Sequence, residues 1–306
     1  MDRRVILSSA LLMAALLCGL AWAEEGRLKI ATTTSLYDTG LLDLLEQRFE
    51  DLNRVSVDIV SGGTGIAIQY GERGDVDLLL VHDPAREAEF IEEGHGLERR
   101  CFAYNYFYLL GPRSDPAGVQ GKNATSAFRA IMDAGMKDPG RVTFVSRGDS
   151  SGTHARERLI WRAAGLDYSQ VNNSGPWYIE AGQGMGATLN MADEKQAYTL
   201  SDASTYTAYR GAIDLVPLVS GGDELLNVYV AIAVSPASHP GVNCEMASRF
   251  IDFLVSDAGQ EIIADYGREQ YGQPLFFAAR GSCDLIGSPS EESAAPTTAG
   301  CAAQVG

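Results

Sequence analysis

Five times along this sequence a short run of aliphatic and β-branched residues gives way to a Gly-, Ser- and Thr-rich turn and then to an amphipathic stretch. RLKIATTTS, from Arg27 to Ser35, leads into LYDTGLLDLLEQRFEDL, whose Leu41, Leu42, Leu44, Leu45 and Phe49 are expected on one helical face. VSVDIVSGGTG leads into IAIQYGERG, VDLLLVHDP into AREAEFIEEG, RVTFVSRGDSSGTH into ARERLIWRAAG, and AYTLSDAST into YTAYRGA. MGATLNMADEK supplies a further helix. Strand-like runs alternating with helical ones build a parallel or mixed sheet with helices on its faces, so the fold class is α/β.

Two segments break the rhythm with unusually continuous apolar and aromatic content: residues 101–112 (CFAYNYFYLLGP) and 227–236 (NVYVAIAVSP). A chain that leaves one lobe, builds a second and returns needs two such crossing segments. The expected organisation is a first lobe from residues 24–110 and 225–286 and a second from 111–224, with the helical CEMASRFIDFLVSDAGQEIIADYG packing back on the first. Residues 287–306 (GSPSEESAAPTTAGCAAQVG) are too poor in large apolar groups to offset their ordering entropy and read as a disordered tail.

At the other end, Arg3 and Arg4, an apolar run from Val5 and Ala21-Trp22-Ala23 have the order of a cleaved secretory leader over residues 1–23, which places the mature protein in the periplasm. Cys18 in ALLCG would be a lipid attachment site under a different cleavage, and the bulky Leu17 before it weighs against that. Four other cysteines, Cys101, Cys244, Cys283 and Cys301, would then sit in an oxidising compartment. Cys244 and Cys283 share the loop-rich last third and are the expected bridge; the alternative is four thiols. A formal charge of −16 argues against nucleic acid or an anionic membrane as partner. It leaves a small anion open, because surface charges beyond about 8 Å are screened.

Three of the turns share a composition. Thr32-Thr33-Thr34-Ser35, Ser61-Gly62-Gly63-Thr64-Gly65 and Ser150-Ser151-Gly152-Thr153 each offer hydroxyls and backbone N–H groups at the expected start of a helix. There the first four N–H groups have no intrahelical acceptor and the macrodipole is positive, which makes an anion site. Any one such turn is ordinarily only a helix cap. Three at the carboxyl edge of a sheet, where α/β proteins bind ligands, point to one shared ligand. Arg147 supplies their only fixed positive charge, and its planar fork suits two oxygens of one oxyanion. Asp149 is ambiguous: it would accept the proton of hydrogen phosphate, cap the helix, or orient Arg147.

The same stretch carries two competing patterns. Residues 148–152 match the G-x-S-x-G of a hydrolase elbow, with Ser150 as nucleophile and His239 as the downstream base, but no HGGG-type loop precedes them. Arg147-Gly148-Asp149 matches an adhesion tripeptide that is common by chance. No zinc, P-loop or dinucleotide pattern is present in the sequence.

The motifs ATTTS, SGGTGIAI, GDVDLLLVHDP, SRGDSSGTH, GQGMGATLNMADEKQAYTLSDASTY and NVYVAIAVSP, in this order over residues 28–240, closely resemble the tungstate-binding proteins of bacterial ABC importers. The resemblance implies a two-lobed periplasmic-binding-protein fold (type II), each lobe a mixed, mostly parallel sheet flanked by helices, the lobes joined by two crossing strands. It implies a receptor without cofactor, metal or catalysis, holding tungstate or molybdate as an oxyanion and delivering it to a membrane permease. Carried over by position, Thr33, Thr34, Ser35, Gly63 and Thr64 would contribute from the first lobe. Arg147 as the charged contact, with Ser151, Gly152 and Thr153, would contribute from the second. The Arg-x-Asp-x-Ser-Gly-Thr spacing also resembles phosphate-binding proteins, which makes phosphate the nearest rival. Asn105-Tyr106 and Ala203-Ser204 depart from the family pattern at the expected hinge and cleft rim.

Overall fold

A computed structural model describes residues 26–149, 151–281 and Cys283. The leader with Cys18, the nucleophile candidate Ser150, and the tail with Cys301 lie outside the described residues.

The first strand, β1 (Arg27–Thr33), ends on Thr33, whose hydroxyl caps the short α1 (Thr34–Tyr37) by accepting the Leu36 N–H at 3.4 Å. The run read as one helix from Leu36 onward is broken at Gly40, which sits at φ 79°, before α2 (Leu41–Asn53) begins. Leu41, Leu42, Leu45 and Phe49 bury their side chains, while Leu44 is 47% exposed. At 100° a residue Leu44 falls outside the arc the other four share, which corrects the five-residue face expected above. There follow β2 (Ser56–Gly62), α3 (Thr64–Glu72), β3 (Leu78–Val81) and α4 (Pro84–Glu92). Asp83 caps α4 and Pro84 opens it, a position where no N–H is missed.

The long β4 (Gly96–Gly111) leaves this region, and α5 (Ala124–Lys137), β5 (Phe144–Ser146), α6 (Gly152–Ala163), α7 (Tyr168–Asn172), β6 (Tyr178–Glu180) and α8 (Met185–Glu194) follow. After β7 (Tyr198–Asp202), α9 (Ala203–Tyr209) and β8 (Val216–Val219), β9 (Leu226–Val234) returns the chain to its starting half. The segment expected to be helical after it divides into α10 (Cys244–Val255) and α11 (Asp257–Asp265). Ser256, extended at ψ 162°, ends one and caps the other through its hydroxyl. A last turn α12 (Arg268–Tyr271) and β10 (Phe277–Gly281) complete the described chain. No helix among the described residues is long and apolar enough to cross a membrane.

Among the described residues the strands run β2-β1-β3-β9-β4-β7-β5-β6, with β8 and β10 both on β4. Pairing is parallel within β2-β1-β3 and within β6-β5-β7, where helices provide the crossovers. It is antiparallel wherever β4 or β9 takes part, so the sheet is mixed. Up to Tyr106, β4 pairs with β9 and β10; from Phe107 it pairs with β7 and β8. The apolar cores divide at the same place. One pair of clusters draws on residues 28–103 and 228–279, with Phe250, Ile251 and Leu254 of α10 packed under β9 and β1. The other pair draws on residues 107–225 around Phe128, Phe144, Trp161 and Trp177. These halves are called the first and second lobes below. Because β1, β2 and β3 are parallel and so are β5, β6 and β7, each lobe gathers its strand-to-helix turns at one edge.

Cys283 is bridged to Cys101, not to Cys244 as expected from the sequence, and Cys244 is disulfide-bonded as well. Pairing of β10 with β4 sets Gly281 opposite Cys101, which brings Cys283 within reach. The bridge joins residues 182 apart, and cross-linking so long a loop restricts the unfolded chain. Replacing Cys101 and Cys283 together by serine is expected to cost about 2–4 kcal/mol in chemical denaturation while leaving ligand affinity within about twofold.

Candidate oxyanion site

Thr33 and Gly62 are register partners at the ends of β1 and β2, so the Thr33-Thr34-Ser35 and Gly63-Thr64 turns stand side by side. Gly63 caps α3 in extended backbone without a side chain of its own. Thr64, first residue of α3, is fully buried, and its Oγ1 has no hydrogen-bond partner among the described residues. Thr33 and Ser35 are buried with their hydroxyl oxygens 3.2 Å apart, and Thr34 between them is half-buried.

In the second lobe Arg147 follows β5 directly and is only 4% exposed. Its Nε and Nη2 donate to Asp149 Oδ2 at 3.1 and 2.6 Å. Asp149 Oδ1 takes the Ser151 N–H at 3.1 Å and the Ser151 hydroxyl as well. Ser151 caps α6 by accepting the His154 N–H at 3.2 Å. Of the three roles open to Asp149, the structure therefore shows it orienting Arg147 and bracing the cap of α6. Thr153, in the first turn of α6, is 1% exposed, and its Oγ1 is partnerless like that of Thr64.

This loop rests on a buried polar floor. Glu157 accepts from Ser146 Oγ at 2.6 Å, Tyr178 OH at 2.7 Å and Trp161 Nε1 at 3.0 Å. Burial pushes its carboxyl above the usual range, against the pull of those donors. Ser146 Oγ in turn accepts the Gly148 N–H at 3.1 Å. Gly148 sits at φ +60°, and a Cβ there would stand 2.5 Å from that of Glu180. His154 donates from Nδ1 to the Asp149 carbonyl, and its Nε2 lies 2.7 Å from Tyr168 OH.

The two lobes meet at His82, a residue absent from the set expected above. It follows β3 and is buried, with Nε2 3.1 Å from Ser35 Oγ and Nδ1 2.9 Å from Asn227 Oδ1 on β9. Burial holds its imidazole down at about 4, so the ring is neutral near pH 7. Gly152 of α6 lies against it: a Cβ there would be 2.5 Å from His82 Cε1. Arg147 is close enough to act electrostatically on both His82 and Asp38, and Asp202, at the end of β7, acts on the same two. Ser35, Gly152 and Arg147 are thereby gathered around His82, with the Thr33-Thr34 and Gly63-Thr64 turns beside Ser35 and Ser151 and Thr153 flanking Gly152. Not all their hydroxyls are free. Ser151 gives its hydrogen to Asp149, and Ser35 is engaged by His82.

His82 is packed against Tyr229 and Phe107, with ring centroids at 4.9 and 6.4 Å, and held by two hydrogen bonds, so it has little room to yield. Gly152→Ala is therefore expected to weaken ligand binding about ten- to a hundredfold, the effect of 1–3 kcal/mol of overpacking if this contact between the lobes forms on closure. Titration calorimetry reads this, and the melting temperature without ligand is expected to change little.

The hydrolase reading loses its base. His239 Nε2 lies 3.3 Å from His95 Nδ1, and the ring abuts Gly74. Val234, just before it, bonds to Asp77 ahead of β3, at the edge of the sheet opposite the turns. The two departures from the family pattern come together: Asn105, Tyr106 and Ala203 line one cavity of about 180 Å³ beside the hinge.

A two-lobed α/β fold with a mixed sheet, in which the lobes are joined by two crossing strands, is that of solute-binding proteins, and known proteins of this kind are similar to the chain. Residues 22–258 match the model of a PBP superfamily domain. TupA, a tungstate-binding protein of Peptoclostridium acidaminophilum, is 39% identical over 82% of this chain and 85% of its own length. The solved tungstate ABC transporter structure from Geobacter sulfurreducens is 45% identical, covering 80% of this chain and 100% of that one, with a TM-score of 0.69. The tungstate-binding TupA of Desulfovibrio alaskensis G20 is 38% identical over 83% and 98% of the two chains, with a TM-score of 0.71. The chain belongs to the PBP superfamily, in the family that holds these tungstate-binding relatives.

Proposed function

We propose that this protein is an extracytoplasmic receptor that captures tungstate, or the near-isosteric molybdate, between its lobes and delivers it to the permease of an ABC importer. The observation that carries this reading is that Thr64 Oγ1 and Thr153 Oγ1, two of the three buried threonine hydroxyls without a partner among the described residues, both stand at helix starts, whereas the third, Thr199 Oγ1, lies within β7. Thr64 and Thr153 stand in the first turns of α3 and α6, one in each lobe, where an anion also meets free N–H groups and the positive end of a helix dipole. Thr33, Thr34, Ser35 and Gly63 line the first-lobe side of this cradle, and Arg147, Ser151 and Gly152 the second-lobe side. The moving units would be residues 24–110 with 225–286 and residues 111–224, closing about β4 and β9.

Asp149 separates tungstate from the phosphate rival. An ionised carboxylate has about four acceptor positions, and here all four are taken, two by Arg147 and two by Ser151. Hydrogen phosphate needs an acceptor for its proton, whereas tungstate and molybdate carry none near neutral pH. The chemistry asked of these residues is binding alone, without catalysis or a cofactor, and the relatives' names concern tungstate binding and transport. Calorimetric titration of the mature protein with tungstate, molybdate, sulfate and phosphate is the test. Saturable heat with tungstate and none with phosphate at equal concentration is expected; silence with all four anions would sink the reading.

A further inference from the structure

The groups that touch His82 come from the candidate site, Ser35 and Gly152, and from the crossing strands, Phe107, Asn227 and Tyr229. Asn227 donates its two amide hydrogens to Asn105 Oδ1 at 2.9 Å and to Tyr229 OH at 2.8 Å. Its Oδ1 therefore faces His82 and accepts the Nδ1–H. In a neutral ring this leaves Nε2 without a hydrogen, so Nε2 accepts the hydroxyl hydrogen of Ser35. The network thus fixes one tautomer and turns the Ser35 hydroxyl inward. Asn105 and Asn227 are register partners on β4 and β9, at the point where both crossing strands leave the first lobe. One residue further along β4, Tyr106 makes the last pairing with β9, and Phe107, which stacks on His82, already pairs with β7 of the second lobe.

We propose that His82 is a positioning residue that ties the Ser35 turn to the two crossing strands and forms the seat on which the Gly152 end of α6 closes. This rests on the oxyanion reading above and adds a coupling to it. The first-lobe anion turn, the hinge and the contact made on closure are then one hydrogen-bonded and packed unit, so that ordering the turn around the anion and shutting the cleft favour each other. Ser35 serves the anion through its backbone N–H, while its hydroxyl holds the turn against His82.

The test compares wild type with His82→Phe, which keeps a ring but loses both nitrogens, by tungstate calorimetry, X-ray scattering with and without tungstate, and thermal melting. The expected result is an affinity lowered at least tenfold and a smaller compaction at saturating tungstate, in a variant that still melts cooperatively. Ser35→Ala added to His82→Phe is expected to cost little more than His82→Phe alone, because the two act through one bond. If His82→Phe does not fold, Asn227→Leu, which removes the acceptor of Nδ1 and leaves the imidazole in place, is read in the same way. A folded variant with a lower melting temperature but wild-type affinity and compaction would show a structural role only and overturn the proposal. Wild type that gives no tungstate heat overturns the oxyanion reading and this one with it; wild type that binds while the variants bind equally overturns this one alone.

Discussion

Arg147→Gln is expected to lower tungstate affinity by a hundredfold or more, measured by calorimetry at fixed ionic strength. Arg147 is 4% exposed and supplies the only fixed positive charge in the three turns, so the proposed contact with a dianion would be made away from water. Removing one partner of a desolvated charge pair costs about 2–5 kcal/mol, and each 1.4 kcal/mol is a factor of ten. The loss has a second source in the loop itself. Asp149 Oδ2 loses both Arg147 donors on the substitution, so a carboxylate without its cationic partner stands beside the incoming anion. Arg147→Lys is expected to recover only part of the affinity. An ammonium keeps the charge, but it does not reproduce a fork that serves Asp149 from Nε and Nη2 together. A glutamine variant that binds within threefold of wild type would remove Arg147 from the site.

The turns were legible in the sequence as helix starts because cap, hydroxyl and free N–H groups are local features. Gly63-Thr64 and Ser151-Gly152-Thr153 combine cap, hydroxyl and free N–H groups within a few residues, and the strand before each sets the edge to which they belong. The crossing strands were legible for a similar reason, since a strand buried in both lobes has no polar face to alternate. What the sequence hid depends on distant partners. His82 was visible in VDLLLVHDP, but its role is written by Asn227, 145 residues away, and by the missing Cβ of Gly152. Cys101 finds Cys283 only through the β10–β4 register, whereas nearness along the chain suggested Cys244. The single helix read across Leu36 to Leu52 fails at Gly40, where a left-handed residue lets the chain turn between α1 and α2. Composition marks such a glycine as permissive without saying that the turn is used.

Thr64→Val and Thr153→Val together are expected to move binding and compactness in opposite directions. Each hydroxyl is buried without a partner, and leaving such a group unpaired costs about 1–3 kcal/mol. On the proposed reading an anion held between the lobes would remove that cost by accepting from both. In an open cleft water would remove it instead, so the two hydroxyls would bias the protein toward opening until an anion arrives. Valine keeps nearly the same shape and needs no partner. The double variant should therefore lose about ten- to a thousandfold in tungstate affinity, while its radius of gyration without tungstate shifts toward the compact, tungstate-saturated value of wild type. Its melting temperature without ligand should not fall below that of wild type. If these hydroxyls served packing or an internal bond, the same substitutions would lower the melting temperature and leave affinity alone. The sign of each change thus separates a binding donor from a structural one, which a loss of affinity by itself does not.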